Sequence, residues 1–179
     1  MKYKVITEPT AEFVSVEEAR RHCRIIGTQD DAYLSALITA ARETAEGYHG
    51  LVYAETGIAA AAARLEKSYD LPVRPFKQLT SVIATDRNGE THDLTEYYTF
   101  DTFGNALVSV RELPHLELAA LNPVIISYIA GSKPSSRTKQ AILLLVGHWY
   151  EHREAVVDGG QSYEVPMAAD ALLQMERHL

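Results

Sequence analysis

Three residues near the end of the chain have the types and spacing for metal chemistry: His148, Glu151 and His152. Histidines at i and i+4 lie on one helical face and can share a tetrahedral zinc ion, and the glutamate can activate water. The H-x-x-E-H order is that of the inverted zinc proteases. Such a site needs a third protein ligand. The carboxylates after His152 are Glu154, Asp158, Glu164, Asp170 and Glu176, and none sits in a recognisable ligand motif. A five-residue pattern also arises easily by chance. The plainer reading is a polar helix end, where positive side chains oppose the negative end of the helix dipole. That reading is preferred, so no metal, cofactor or catalytic residue is expected. A zinc-dependent hydrolase is the alternative.

No other segment carries a catalytic pattern. Gly131-Ser132-Lys133 lacks the spacing of a phosphate loop, and no Ser/His/Asp set stands in a nucleophile motif. Asp30-Asp31 reads as helix capping and Gly159-Gly160 as a loop hinge. The single cysteine, Cys23, forms no internal disulfide and reads as a small buried hydrophobe on a helical stripe. The ten tyrosines are scattered and not interleaved with basic residues, which suits packing better than stacking on bases.

These residues must be positioned by helices at both ends of the chain. Ser15-Val16-Glu17-Glu18 fits a capping box, and Val16, Ala19, Cys23 and Ile26 then form a stripe that Gly27 stops. A second helix opens at Thr28-Gln29-Asp30-Asp31, with Leu34, Leu37, Ile38, Ala41, Ala45 and Tyr48 at helical spacing up to His49-Gly50. The two form a helical hairpin. Gln140 to Glu154 reads as one helix, apolar at every position from Ala141 to Val146. A surface helix needs only one apolar stripe. This helix is therefore central in its own domain or shared with a neighbouring subunit. Met167 to Leu179 is a last short helix with Leu172, Met175 and Leu179 on one side.

Between the helical ends lies a β region. Leu79–Thr85, Tyr97–Phe100, Ala106–Val110 and Val124–Ile129 are strand-like, and Asn88-Gly89 is a hairpin turn signal because both residues tolerate positive φ. Ile58–Leu65 is rich in alanine, which favours helix, yet its place between turn signals suits a strand. The expected fold class is α+β. An N-terminal helical hairpin and C-terminal helices (14–50 and 134–179) flank an inserted antiparallel β region (about 51–131), all in a single domain spanning 1–179. The segment before Val14 has no assigned role.

The net charge is -7, with no basic run. Proteins that grip nucleic acid usually carry a basic face, because Lys and Arg displace the counterions on phosphates. A protein that lets DNA pass without holding it remains compatible. The chain start has no signal-peptide core, and no apolar run approaches the ~20 residues that span a bilayer. A soluble protein made in a cytoplasm is expected, with no membrane partner.

Four segments resemble one family. They are Val14-Ser15-Val16-Glu17-Glu18-Ala19-Arg20 with Cys23-Arg24-Ile25, then Asp30-Asp31-Ala32-Tyr33-Leu34 leading to residues 37–46. The third is Leu71-Pro72-Val73-Arg74-Pro75-Phe76 with Leu79-Thr80-Ser81-Val82. The last is residues 124–131 followed by 139–154. Their order and spacing are similar to the head–tail connector (adaptor) proteins of tailed bacteriophages, the type often labelled possible DNA packaging protein. Phe76-Lys77-Gln78 departs from the family, which commonly has a second proline there. The resemblance implies no enzymatic activity. It implies a homo-oligomeric ring, a dodecamer in the particle, below the portal protein. The ring would extend the DNA channel, dock a stopper or tail-completion protein, and pass double-stranded DNA without tight binding. It also implies residence at the head–tail junction of a virion, prophage product or phage-derived gene transfer agent, after synthesis in a bacterial host cytoplasm. On this reading Ile142, Leu145, Trp149, Tyr150 and Arg153 are the expected subunit or partner interface. Glu43, Glu46 and Asp158 are the expected channel lining.

Overall fold

The computed structural model describes residues 1–101, 106–152 and 167–175. The chain divides into two compact units. One comprises Met1–Thr10 and Ala54–Ser132, the other Ala11–Tyr53 and Lys133–Leu179.

In the helical unit, α1 (Val16–His22) starts where the capping box predicts. The Glu18 amide donates to Ser15 Oγ at 3.1 Å, and the Ser15 amide donates back to the Glu18 carboxylate at 3.0 Å. The helix ends earlier than its apolar stripe suggests. Cys23 is its C-cap, and Arg24 takes a left-handed φ of 55°. That turn lets Ile25 pack against the core and leaves Ile26, expected on the buried stripe, 99% exposed. Cys23 is half-buried rather than buried, and desolvation pushes its thiol pKa up.

The second helix, α2 (Asp31–His49), ends at Gly50 in the left-handed region and buries Leu34, Ile38, Ala41 and Ala45, with Leu37 and Tyr48 on the flank. Asp30 holds the N-cap position without making the expected side-chain cap. It accepts instead from the Tyr150 hydroxyl, and Asp31 pairs with Arg20 at 3.0 Å.

Ser135 Oγ caps α3 (Ser136–Glu151) by accepting from the Arg137 and Thr138 amides. Ala141, Ile142, Leu145 and Val146 are buried, Leu143 and Leu144 partly so. The wide apolar surface is taken up inside the unit, because α3 packs against α1, α2 and α4 (Met167–Gln174). On α4 the buried pair is Ala169 and Leu173. Leu172 sits on the flank and Met175 is exposed, one position off the expected face. Leu179 lies outside the described residues.

Among the described residues, the β unit has two antiparallel sheets. Strands β1 (Lys2–Thr7), β2 (Thr56–Ala62), β4 (Phe76–Thr85), β5 (Thr91–Asp93) and β8 (Val124–Ala130) form one, in the order β1-β2-β8-β4-β5. Strands β3 (Ser68–Asp70), β6 (Tyr98–Asp101) and β7 (Ala106–Ser109) form the other, in the order β3-β7-β6. The alanine-rich segment is a strand. Ala60 pairs with Tyr3 on one side and Ile126 on the other, and these ladders override helix propensity. The central strand alternates cleanly, burying Val124, Ile126, Tyr128 and Ala130. The β4–β5 hairpin closes at Asn88-Gly89, with Gly89 at φ 87°. Gly131 leaves β8 at φ 142°, and a Cβ there would lie 3.0 Å from the Ala54 carbonyl oxygen. Strands β1 and β3 were not expected. The segment without an assigned role supplies β1.

Tyrosines hold this unit together. Tyr128 Oη contacts the Val73 amide at 3.1 Å, Tyr98 donates to the Glu66 carbonyl and Tyr69 to the Arg64 carbonyl, both at 2.8 Å. Burial pushes the Tyr128 hydroxyl up to about 12. The Phe76 and Phe100 rings stack at 3.7 Å. These contacts explain three of the ten tyrosines as packing.

Candidate functional site

The His148, Glu151 and His152 set is a helix end. The imidazoles of His148 and His152 lie 4.6 Å apart between centroids. His152 Nδ1 is 2.9 Å from the His148 carbonyl oxygen, so its proton serves as a C-terminal cap donor. Glu151 and His152 are exposed. Among the described residues, no third carboxylate, cysteine or histidine closes on this set. A looser group of Asp86, Glu90 and His92 stands on the β4–β5 hairpin. Asp86 Oδ1 accepts from the Asn88 and Glu90 amides, each at 2.9 Å, and Oδ2 accepts from His92 Nε2 at 3.1 Å. The His92 hydrogen bond is the main cause of a lowered Asp86 pKa. These bonds pin a turn, which is what an aspartate before Asn-Gly does.

The expected interface residues fall into three settings. Ile142 and Leu145 are fully buried in the helical core. Trp149 and Tyr150 are half-buried, with the Tyr150 ring 6.2 Å from that of Tyr33. Arg153 lies outside the described residues, as does Asp158. Of the expected lining residues, Glu43 is open, its side chain 64% exposed. Glu46 is not: it bonds Arg42 Nη1 at 2.6 Å and accepts from the Tyr53 amide at 2.7 Å.

Sequence reasoning missed the strongest electrostatic feature, which is Arg42. Its side chain is buried among the apolar residues of α2 and held by Glu12 at 2.9 Å and Glu46 at 2.6 Å. Thr39 completes the set by donating to Glu12 at 2.9 Å. Burial pulls the guanidinium pKa down, but Glu46, Glu12 and Glu43 outweigh it and the net shift is upward. The only sequence signal was an arginine at the phase of Ile38 and Ala45. A second tie is Lys139 to Glu18 at 2.7 Å, which with the Ser15 amide lowers Glu18 to about 2. Both are devices for fixing helices, with no reacting group between them.

Comparisons agree with a structural role. Residues 13–101 match the family described as phage gp6-like head-tail connector protein. The fold is similar to a chain in the virion of a native gene transfer agent particle, with a TM-score of 0.75, 22% identity, and 98% of this chain and 94% of that chain covered. It is also similar to a chain from the neck of the native particle computed with C12 symmetry, with a TM-score of 0.73, 23% identity and the same coverage. A chain from the neck of the empty particle, computed with C6 symmetry, gives 0.72 at 22% identity, again with the same coverage. No curated protein sequence matches. Residues 13–101, from the helical hairpin into the β unit, thus match the phage gp6-like head–tail connector family, a family of structural virion proteins, and the neck chains share the fold over nearly the whole length.

Proposed function

We propose that the chain is the ring-forming adaptor of a head–tail neck. Copies close into a ring, twelve in the particle, beneath a portal protein. The ring extends the DNA channel and receives a stopper or tail-completion protein. The observation that carries this reading is the fold match over 98% of the chain to a protein of a neck computed with C12 symmetry. Head-to-tail contacts that close give such rings. Both units serve as a single connector domain, and the protein is made in a bacterial host cytoplasm before joining the particle.

In this ring Trp149, Tyr150 and Arg153 form the contact with a neighbour or partner, and Ile142 and Leu145 support them from the core beneath. The ring need not draw on the apolar breadth of α3, which its own unit covers. Glu43 and Asp158 are the proposed channel-lining positions, and Glu46 anchors Arg42, which also pairs with Glu43. A wall of this charge repels phosphates and leaves the duplex mobile. Solution mass with and without the cognate portal tests the assembly: a ring on the portal supports it, and no association contradicts it. The isolated protein should bind double-stranded DNA no more tightly than micromolar, and sub-micromolar, salt-sensitive binding would contradict an open channel.

A further inference from the structure

The five-stranded sheet ends in two strands whose outer edges pair with nothing among the described residues, β1 and β5. They are chemically opposite. Every residue of β1 is exposed, and its charges are Lys2 and Lys4, neither in an ion pair among the described residues. Alternation places both lysines on one face. Strand β5 carries Asp93, with Glu90 in the turn just before it and Asp86 and Glu96 close in sequence. Asp93 accepts from the Thr95 amide and hydroxyl, which fixes it beside the strand. Open edges are templates for pairing, and natural sheets usually blunt them. Lysines on β1 blunt it against a second β1 but not against an acidic edge.

We propose that β1 of one copy pairs with β5 of the next, so that the sheets of neighbouring subunits join edge to edge. This rests on the ring proposed above and names one of its contacts. Each neighbour in the sheet is antiparallel, so the first and fifth strands run in the same direction. Copies related by a small rotation therefore bring β1 beside β5 in parallel, with Lys2 and Lys4 on the side of Thr91 and Asp93. The two edges differ, so the contact is head-to-tail, the kind that closes into a ring. Opposite charges across strands stabilise the pair. Strand β5 is only three residues long and parallel pairing is the weaker kind, so one contact is weak and the ring gains it as it closes.

The test starts with a carbodiimide, which joins amines to touching carboxylates, added to a concentrated equal mixture of isotope-labelled and unlabelled protein. The proposal expects mixed-label cross-links between Lys2 or Lys4 and Glu90 or Asp93. A ring lacking them overturns the edge contact and leaves the adaptor reading standing; no ring, even with the portal, overturns the adaptor reading. The second arm is charge reversal. Lys2→Glu/Lys4→Glu and Glu90→Lys/Asp93→Lys should each lose assembly alone. Mixed in equal amounts, they should regain it, because every junction then joins unlike charges. Failure of the mixture, with both variants folded by circular dichroism, overturns the proposal, as does assembly of either variant alone.

Discussion

The helical unit and the β unit satisfy their buried polar groups in different ways. In the helical unit the main ties run between side chains, the buried Arg42 with Glu12 and Glu46 and the half-buried Lys139 with Glu18 and Tyr150 with Asp30. In the β unit, tyrosine hydroxyls bind backbone, as Tyr69, Tyr98 and Tyr128 do. Ion pairs depend on pH and on both partners being present, whereas a tyrosine at ordinary pH stays neutral. The helical unit should therefore answer to charge, and the β unit to packing and backbone geometry.

The largest effect expected is from Arg42→Met. It leaves Glu46 and Glu12 in a largely covered site without their cation, and such losses cost roughly 3 kcal/mol. Denaturant unfolding measures it; a loss below roughly 1 kcal/mol would mean that the cluster behaves as an ordinary surface pair. Tyr128→Phe is the counterpart in the β unit. The ring stays buried, but the Val73 amide loses its partner, a cost of roughly 1–2 kcal/mol. Its effect should be unchanged between pH 4 and 8, since the Tyr128 hydroxyl is pushed up to about 12 and stays protonated throughout. Dependence on pH in that range would break the contrast.

Glu18 sharpens the contrast by its acid response. Its folded pKa of about 2 lies below the ordinary 4.5, so its contribution is full above 4.5 and is lost as pH falls toward 2. The pair is a third exposed, so screening holds the contribution below about 1 kcal/mol. Glu18→Gln should flatten the stability profile between those two values and leave it unchanged at neutral pH apart from that loss. An unchanged acid slope would contradict the assignment. Glu151→Gln should have the smallest effect, within about 0.5 kcal/mol, with assembly intact. Metal analysis of the purified protein checks the same point: stoichiometric zinc that disappears with His148→Ala would revive the hydrolase alternative.

What the sequence revealed divides along the same line. Ser15-x-x-Glu18, the Leu34–Ile38–Ala41–Ala45 stripe and Asn88-Gly89 depend on neighbours within a turn or two, and each was legible. Strand β1 was not, because its partner lies more than fifty residues away at Ile58–Ala61. Ile26 misled because a stripe does not reveal that Arg24 breaks the helix one residue after Cys23. The short α4 allowed two phases, and packing chose Ala169 and Leu173 over Leu172 and Met175. On the candidate site, the helix-end reading of His148–His152 was legible from spacing and dipole. Burial of Arg42 was not, since it depends on Glu12 arriving from outside the helix.

Cryo-microscopy of particles carrying this chain tests the central claim most directly. The account predicts a closed ring of copies centred on the particle axis at the head–tail junction. Particles in which the chain is a single copy away from that axis would contradict it.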